Sequence, residues 1–286
     1  MRRMSLFCLV LSAVVVLTLG AKKSHPEIID SVTKDIRQAR GREYAGAKGG
    51  AACNQLQNVR FPDRSRRNAF QHVVNRCGER SELRMQTTKI GETYWYGWSI
   101  FIPSDWKDTD AGHDMLSQWH THPSSKTFGK ACGAGGSFLA RGRDGKRSAG
   151  GGSIDFFLQH AGDSAVVECQ KFPLAKVSEL RGKWVNFVMN VKWTGNKDGF
   201  LKLWMKTGDS SYAQKINYKG RTFWNDEGTG PFFKMGNYKG NPNWKGPAPR
   251  TLYTAEYRLG NKNSSFADVA PKEASSFCKH IPWLCQ

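Results

Sequence analysis

The stretch GKWVNFVMNVKWTGNKDGFLKLWM, Gly182 to Met205, holds two apolar runs rich in aromatic and β-branched residues on either side of a turn-forming TGNKDG. Runs of this kind, bounded by Gly, Asn and Asp, read as paired β-strands. The two strands expected here are Trp184–Trp193 and Gly199–Lys206. Working outward, the same pattern recurs at Glu79–Gln86, Tyr94–Ile102, Asp114–His120, Ile154–His160, Pro231–Tyr238 and Thr251–Leu259. Helical periodicity is scarce after residue 40, and only Ile28–Ala39 suggests a short helix. Eight or more strands separated by turn residues predict an all-β, two-sheet sandwich or jelly roll. The glycine-rich, basic stretch from Gly129 to Gly152 reads as a mobile loop. No internal repeat or composition break marks a second domain, so residues 21–286 are expected to form one.

Residues 1–20 pair Arg2 and Arg3 with an apolar run from Leu6 to Leu19, the pattern of a cleaved export signal, and predict a secreted, extracellular protein. Export leaves Cys53, Cys77, Cys132, Cys169, Cys278 and Cys285, for which an oxidising compartment makes disulfides the default. Six cysteines allow 15 pairings and the sequence does not choose among them. With 39% hydrophobic and 12% aromatic residues, the chain is too rich in core formers to be disordered. Its 43 Lys+Arg against 24 Asp+Glu, a formal charge of +19, point to an anionic partner.

Alternate residues of a strand share a face. Arg80, Glu82 and Arg84 therefore form a charged stripe opposite Leu83, Gln118 and His120 share a face with Trp119 turned away, and Lys234, Gly236 and Tyr238 line up on a third strand. Gly236 is expected to leave open space between Lys234 and Tyr238. Guanidinium groups, an amide, an imidazole, an ammonium and a phenol suit β-elimination on a uronic acid. Removing the C5 proton drives charge onto a carboxylate that is already anionic. Gln118 and Arg80 or Arg84 can hold that charge as an oxyanion hole does. His120 can take the proton near neutral pH, and Tyr238 can donate to the departing O4. This chemistry requires no cofactor.

Together, RSELR at Arg80–Arg84, YWYGWSIFIPSDW at Tyr94–Trp106, QWH at Gln118–His120 and FFKMGNYKG at Phe232–Gly240 resemble the secreted polysaccharide lyases with a concanavalin A-like β-jelly roll. The resemblance is to the heparin lyase I and glucuronan lyase type, with similarity to jelly-roll alginate lyases, and spans roughly residues 76–260. It implies that Gln118, His120 and Tyr238 are the carboxylate neutraliser, base and proton donor. It further implies a basic groove in which Arg80, Arg84, Lys234, Asn237 and Trp244 contact the substrate. The implied partner is an acidic polysaccharide (a glycosaminoglycan, glucuronan or alginate), with no nucleic acid, no membrane anchor and a monomeric enzyme. The alternative from another class is a lectin-like binder that holds such chains without cutting them.

The closing strand carries Ala255 where such lyases often show an Asp, which weakens the case for calcium there. Asp226 and Glu227 are the other possible ligands of a structural calcium. His72 and His160 read as satisfied core or surface histidines, and His113 as loop. Trp95, Trp184 and Trp193 read as core, whereas Trp224 and Trp244 are expected in loops where aromatic faces stack on sugars.

Overall fold

The computed structural model describes residues 26–43, 53–61, 68–106, 113–120, 136–141, 152–161, 168–225, 229–239 and 248–272. Among them are fifteen strands: β1 (Ile28–Val32), β2 (Gly41–Glu43), β3 (Asn54–Arg60), β4 (Asn68–Val74), β5 (Arg80–Thr87), β6 (Thr93–Ile102), β7 (His113–His120), β8 (Gly136–Arg141), β9 (Ser153–His160), β10 (Glu168–Lys176), β11 (Lys183–Lys192), β12 (Phe200–Thr207), β13 (Ala213–Lys219), β14 (Phe232–Tyr238) and β15 (Arg250–Gly260). They form two antiparallel sheets. One runs β13-β12-β11-β6-β15-β4-β3, with β1 added alongside β15, and the other runs β10-β9-β8-β7-β14-β5-β2. All eight strands expected from the sequence are present, each within one residue of its expected bounds.

The sheets pack face to face through large rings. Trp98 of β6 meets Trp119 of β7 edge-on at 5.4 Å, and Phe233 of β14 stacks on Tyr257 of β15 at 5.3 Å. All four are fully buried. Burying such rings supplies the largest apolar areas a side chain offers, and edge-on or stacked geometry adds to that. Because Trp119 and Phe233 point inward, Gln118, His120, Phe232 and Lys234 point to the outer face of the seven-stranded sheet.

Three expectations change. Ile28–Ala39 is not a helix: Ile28–Val32 pair with Tyr257–Gly260 of β15 as a strand, and the helical part shrinks to a 3-10 turn at Ile36–Gln38 capped by Asp35. Residues 136–141 of the expected mobile loop form β8 between β7 and β9. Gly136 belongs to a strand because a Cβ there would lie 3.2 Å from the rings of Phe156 and Trp119. His113 opens β7 instead of lying in a loop.

Cys53 and Cys77 form a disulfide that ties the start of β3 to the turn before β5. Cys169 is also disulfide-bonded, and Cys132, Cys278 and Cys285 lie outside the described residues, as does the expected export signal. Trp184 and Trp193 are buried as expected, while Trp95 is half-buried and stacks on Trp204. Trp224 is fully buried against Phe223, so it has no face left for a sugar. Ala255 is buried against Phe61 and Trp184.

Candidate active site

The outer face of β5, β14 and β7 is set by register. Lys234 of β14 lies between Arg84 of β5 and Gln118 of β7, Tyr238 lies beside Arg80, and Phe232 lies beside His120. Residues far apart in the chain thus sit on three adjacent strands: Arg84, Lys234 and Gln118 share one row, while His120 and Tyr238 lie on opposite sides of it along the strands.

The side chains form a connected polar set. Gln118 Nε2 donates to Glu82 Oε1 at 2.6 Å, reaching over β14 where Gly236 carries no side chain. The space expected above Gly236 is therefore crossed by a hydrogen bond. Gly236 itself has φ +142°, and a Cβ would meet the Ser81 carbonyl oxygen at 2.2 Å and His72 Nδ1 at 2.7 Å, so its side-chain direction leads into the interior. Only glycine adopts that backbone readily.

Arg80 lies 3.7 Å from Glu82 Oε2 and 3.5 Å from Glu43 Oε2, with its guanidinium 4.0 Å above the ring of Tyr238. Lys234 Nζ donates to Glu43 Oε2 at 2.6 Å. Arg84 stands 4.1 Å above the ring of Phe232, which also neighbours the imidazole of His120 at 5.3 Å and the Lys234 ammonium at 5.4 Å. The cations of this face are thus held by carboxylates and aromatic faces.

Burial shapes the acidities. It pushes the Tyr238 phenol above its ordinary value, the Arg80 charge works against that, and the Glu79 carboxylate, its hydrogen-bond partner, adds to it. Burial also raises Glu82, against the pull of Lys234, Arg80 and Gln118. At Glu43 burial acts upward as well, but the hydrogen bond from Lys234 and the charges of Lys234, Arg80 and Arg84 outweigh it and leave the carboxyl below its usual range. A phenol so placed is protonated at neutral pH and holds a proton to donate.

One end of the site is anchored from below. Lys239, the residue after Tyr238, lies 3.4 Å from Asp114 Oδ1, and Arg250 of the opposite sheet bonds Asp114 Oδ2 at 2.7 Å, all three buried. Removing one partner of a buried pair leaves a stranded charge, so this cluster fixes where β14 ends.

Asn237 does not join the site. It pairs with Ser81, whose hydroxyl bonds Gln55 of the other sheet, so both point inward. The amide is fully buried, with neither polar atom hydrogen-bonded among the described residues, and a substrate contact at Asn237 is ruled out in this arrangement. Trp244, Asp226 and Glu227 lie outside the described residues, and no group of three His, Cys, Asp or Glu able to hold a metal occurs within them. His72 is buried and satisfied, bonding Ser81 O and Thr254 Oγ1 at 2.8 Å each. The sequence reading passed over Glu43 and assigned no role to Glu82. The latter was legible as a charge on a strand that also carries Leu83 and Met85, but its bond to Gln118, 36 residues away in sequence, depends on β14 lying between β5 and β7.

Comparison with known proteins agrees with this architecture. The endo-β-1,4-glucuronan lyase of the fungus Trichoderma reesei superposes with a TM-score of 0.66 at 16% identity, covering 87% of this chain and 100% of that one. The PL-14 alginate lyase of Aplysia kurodai gives 0.52 at 9% identity over 82% and 98%, and the alginate lyase of Klebsiella pneumoniae 0.51 at 11% over 81% and 94%. At these identities the likeness is one of fold. No curated protein sequence matches. A family model described as polysaccharide lyase matches residues 32–258, the span that holds every described residue of the site, and the chain belongs to that polysaccharide lyase family.

Proposed function

We propose that this lyase is secreted and cleaves an acidic, uronate-containing polysaccharide by β-elimination, leaving a 4,5-unsaturated uronate on the new end. The observation that carries the reading is the row Arg84–Lys234–Gln118 across three adjacent strands, with His120 on one side of it and Tyr238 on the other. A uronate carboxylate placed over Gln118 meets an amide donor and flanking cations. These stabilise the charge that grows on the carboxyl group as C5 loses its proton. His120 takes that proton and the Tyr238 phenol donates to O4 as the bond to the neighbouring sugar breaks. The register sets His120 and Tyr238 five residues of β7 and six of β14 apart, about 16–20 Å along the strands, so the two would approach a bound sugar from opposite sides of the row. The elimination balances without water or an added reductant: one C–H and one C–O bond break, one C=C forms, and one proton moves from C5 to the leaving oxygen.

Export is supported by Arg2, Arg3 and the apolar run that follows, and by the Cys53–Cys77 disulfide, which fits an oxidising compartment. The test is to incubate the purified protein with glucuronan, polymannuronate, alginate, heparan sulfate and heparin and follow the ultraviolet absorbance of the unsaturated product. Growth on at least one uronan is expected, and silence on all would overturn the proposal.

A further inference from the structure

Glu82 has no solvent exposure, yet it lies on the face that carries the site. Its Oε1 accepts from Gln118 Nε2 at 2.6 Å. Its Oε2 makes no hydrogen bond among the described residues but faces the Arg80 guanidinium at 3.7 Å. Closing a carboxylate off from water costs several kcal/mol, and its neighbours Leu83 and Met85 on β5 show that this strand already supplies apolar side chains to the core. A carboxylate is thus kept where an apolar side chain would cost the fold less. The two groups it holds are those that the proposed mechanism needs in fixed positions.

We propose that Glu82 is a positioning residue for catalysis. By accepting one N–H of Gln118 it fixes the amide as a donor, with the second N–H left for the sugar carboxylate. By facing Arg80 it keeps the guanidinium above Tyr238. Glu82 touches no substrate, because both its oxygens are closed to solvent, and it acts through Gln118 and Arg80. A neutral side chain of the same shape fails at this: an amide that turned its carbonyl to Gln118 would present N–H groups to the Arg80 cation.

This inference rests on the functional proposal above, and the experiment separates the two. On a uronan that the wild type cleaves, Glu82→Gln, checked for folding by its melting curve, is expected to lower kcat about tenfold or more, part of the roughly 10²–10³ that losing an oxyanion donor outright costs. KM should stay within about threefold, since the interaction matters most in the transition state. In a Gln118→Ala background the same substitution should cost severalfold less than it does in the wild type, because one of the two groups it acts through is gone. A purely structural role would leave the two effects multiplicative and the kcat-to-KM split absent. Should Glu82→Gln not fold, Glu82→Asp keeps the charge and withdraws it by one methylene, and is expected to lose kcat with KM held. Wild-type kcat in the folded variant, or full multiplication in the double variant, would overturn the inference. A wild type inert on every uronan would sink the functional proposal itself, and this inference with it.

Discussion

Two single residues carry the sharpest expectations. Tyr238 is held protonated by burial and by Glu79, so Tyr238→Phe removes the proton meant for O4 while keeping the ring beneath Arg80. Its kcat is expected to fall by about 10²–10⁴, the range of a lost general acid, with binding of an uncleaved oligouronate by calorimetry little changed. His120→Ala is expected to show a kcat loss of the same order, and an effect confined to KM would make the imidazole a sugar contact instead of the base. His72, behind the site, has its pKa pushed down to about 4 by complete burial, a shift that the Ser81 carbonyl only partly offsets. The unfolded chain, with an ordinary imidazole near 6.5, binds a proton that the folded one refuses between those values. Stability is therefore whole above about pH 6.5 and declines as pH falls toward 4, by at most about 3 kcal/mol. Melting temperatures across that window measure it, and in His72→Gln the slope should flatten even though the substitution lowers stability at every pH.

At the level of elements, β14 is the strand on which the site depends. Gly236 puts its α-carbon against the Ser81 carbonyl of β5 in a backbone conformation that an L side chain resists. Gly236→Ala is expected to cost about 3 kcal/mol in denaturant unfolding, from strain and overpacking together, and to lower activity further because Lys234 and Tyr238 ride on the same strand. The strands that the sequence revealed are those whose alternation or apolar runs face the aromatic core, such as β6 and β11. Of those it hid, β4 (NAFQHVV) is apolar and buried, but others are polar or glycine-rich. β3 (NQLQNVR) and β13 (AQKINYK) lie at the ends of their sheet, where few side chains are buried, and β8 hides behind glycines that make room for Phe156 and Trp119. The site was legible for the same reason as the core, since period-two alternation places Gln118 and His120 opposite Trp119. It failed at Asn237, where the odd position of a strand with a charged outer face is an inner one, and at Trp224, whose polar neighbours in sequence concealed a packed interior.

Over the whole molecule, a formal charge of +19 should draw a polyanion from a distance. Raising ionic strength from about 0.05 to about 0.3 M shortens the screening length from about 14 to about 6 Å and so weakens long-range attraction between exposed charges; KM on a uronan is therefore expected to rise while kcat holds, as steady-state kinetics across a salt series would show. A salt-insensitive KM would mean that recognition is confined to the paired, largely buried groups around Glu43 and Glu82. A separate consequence follows from β1, whose only strand partner among the described residues is Tyr257–Gly260 at the far end of β15, with Glu27 O accepting from Asn261 N and Ser264 Oγ just beyond. More than 200 residues must be made before that early segment finds the edge it belongs to. A ribosome-bound or partly translocated chain therefore holds an unpaired ribbon until nearly the last of its sheet arrives, and its assembly is gated by the arrival of the final strand and not by collapse of the first.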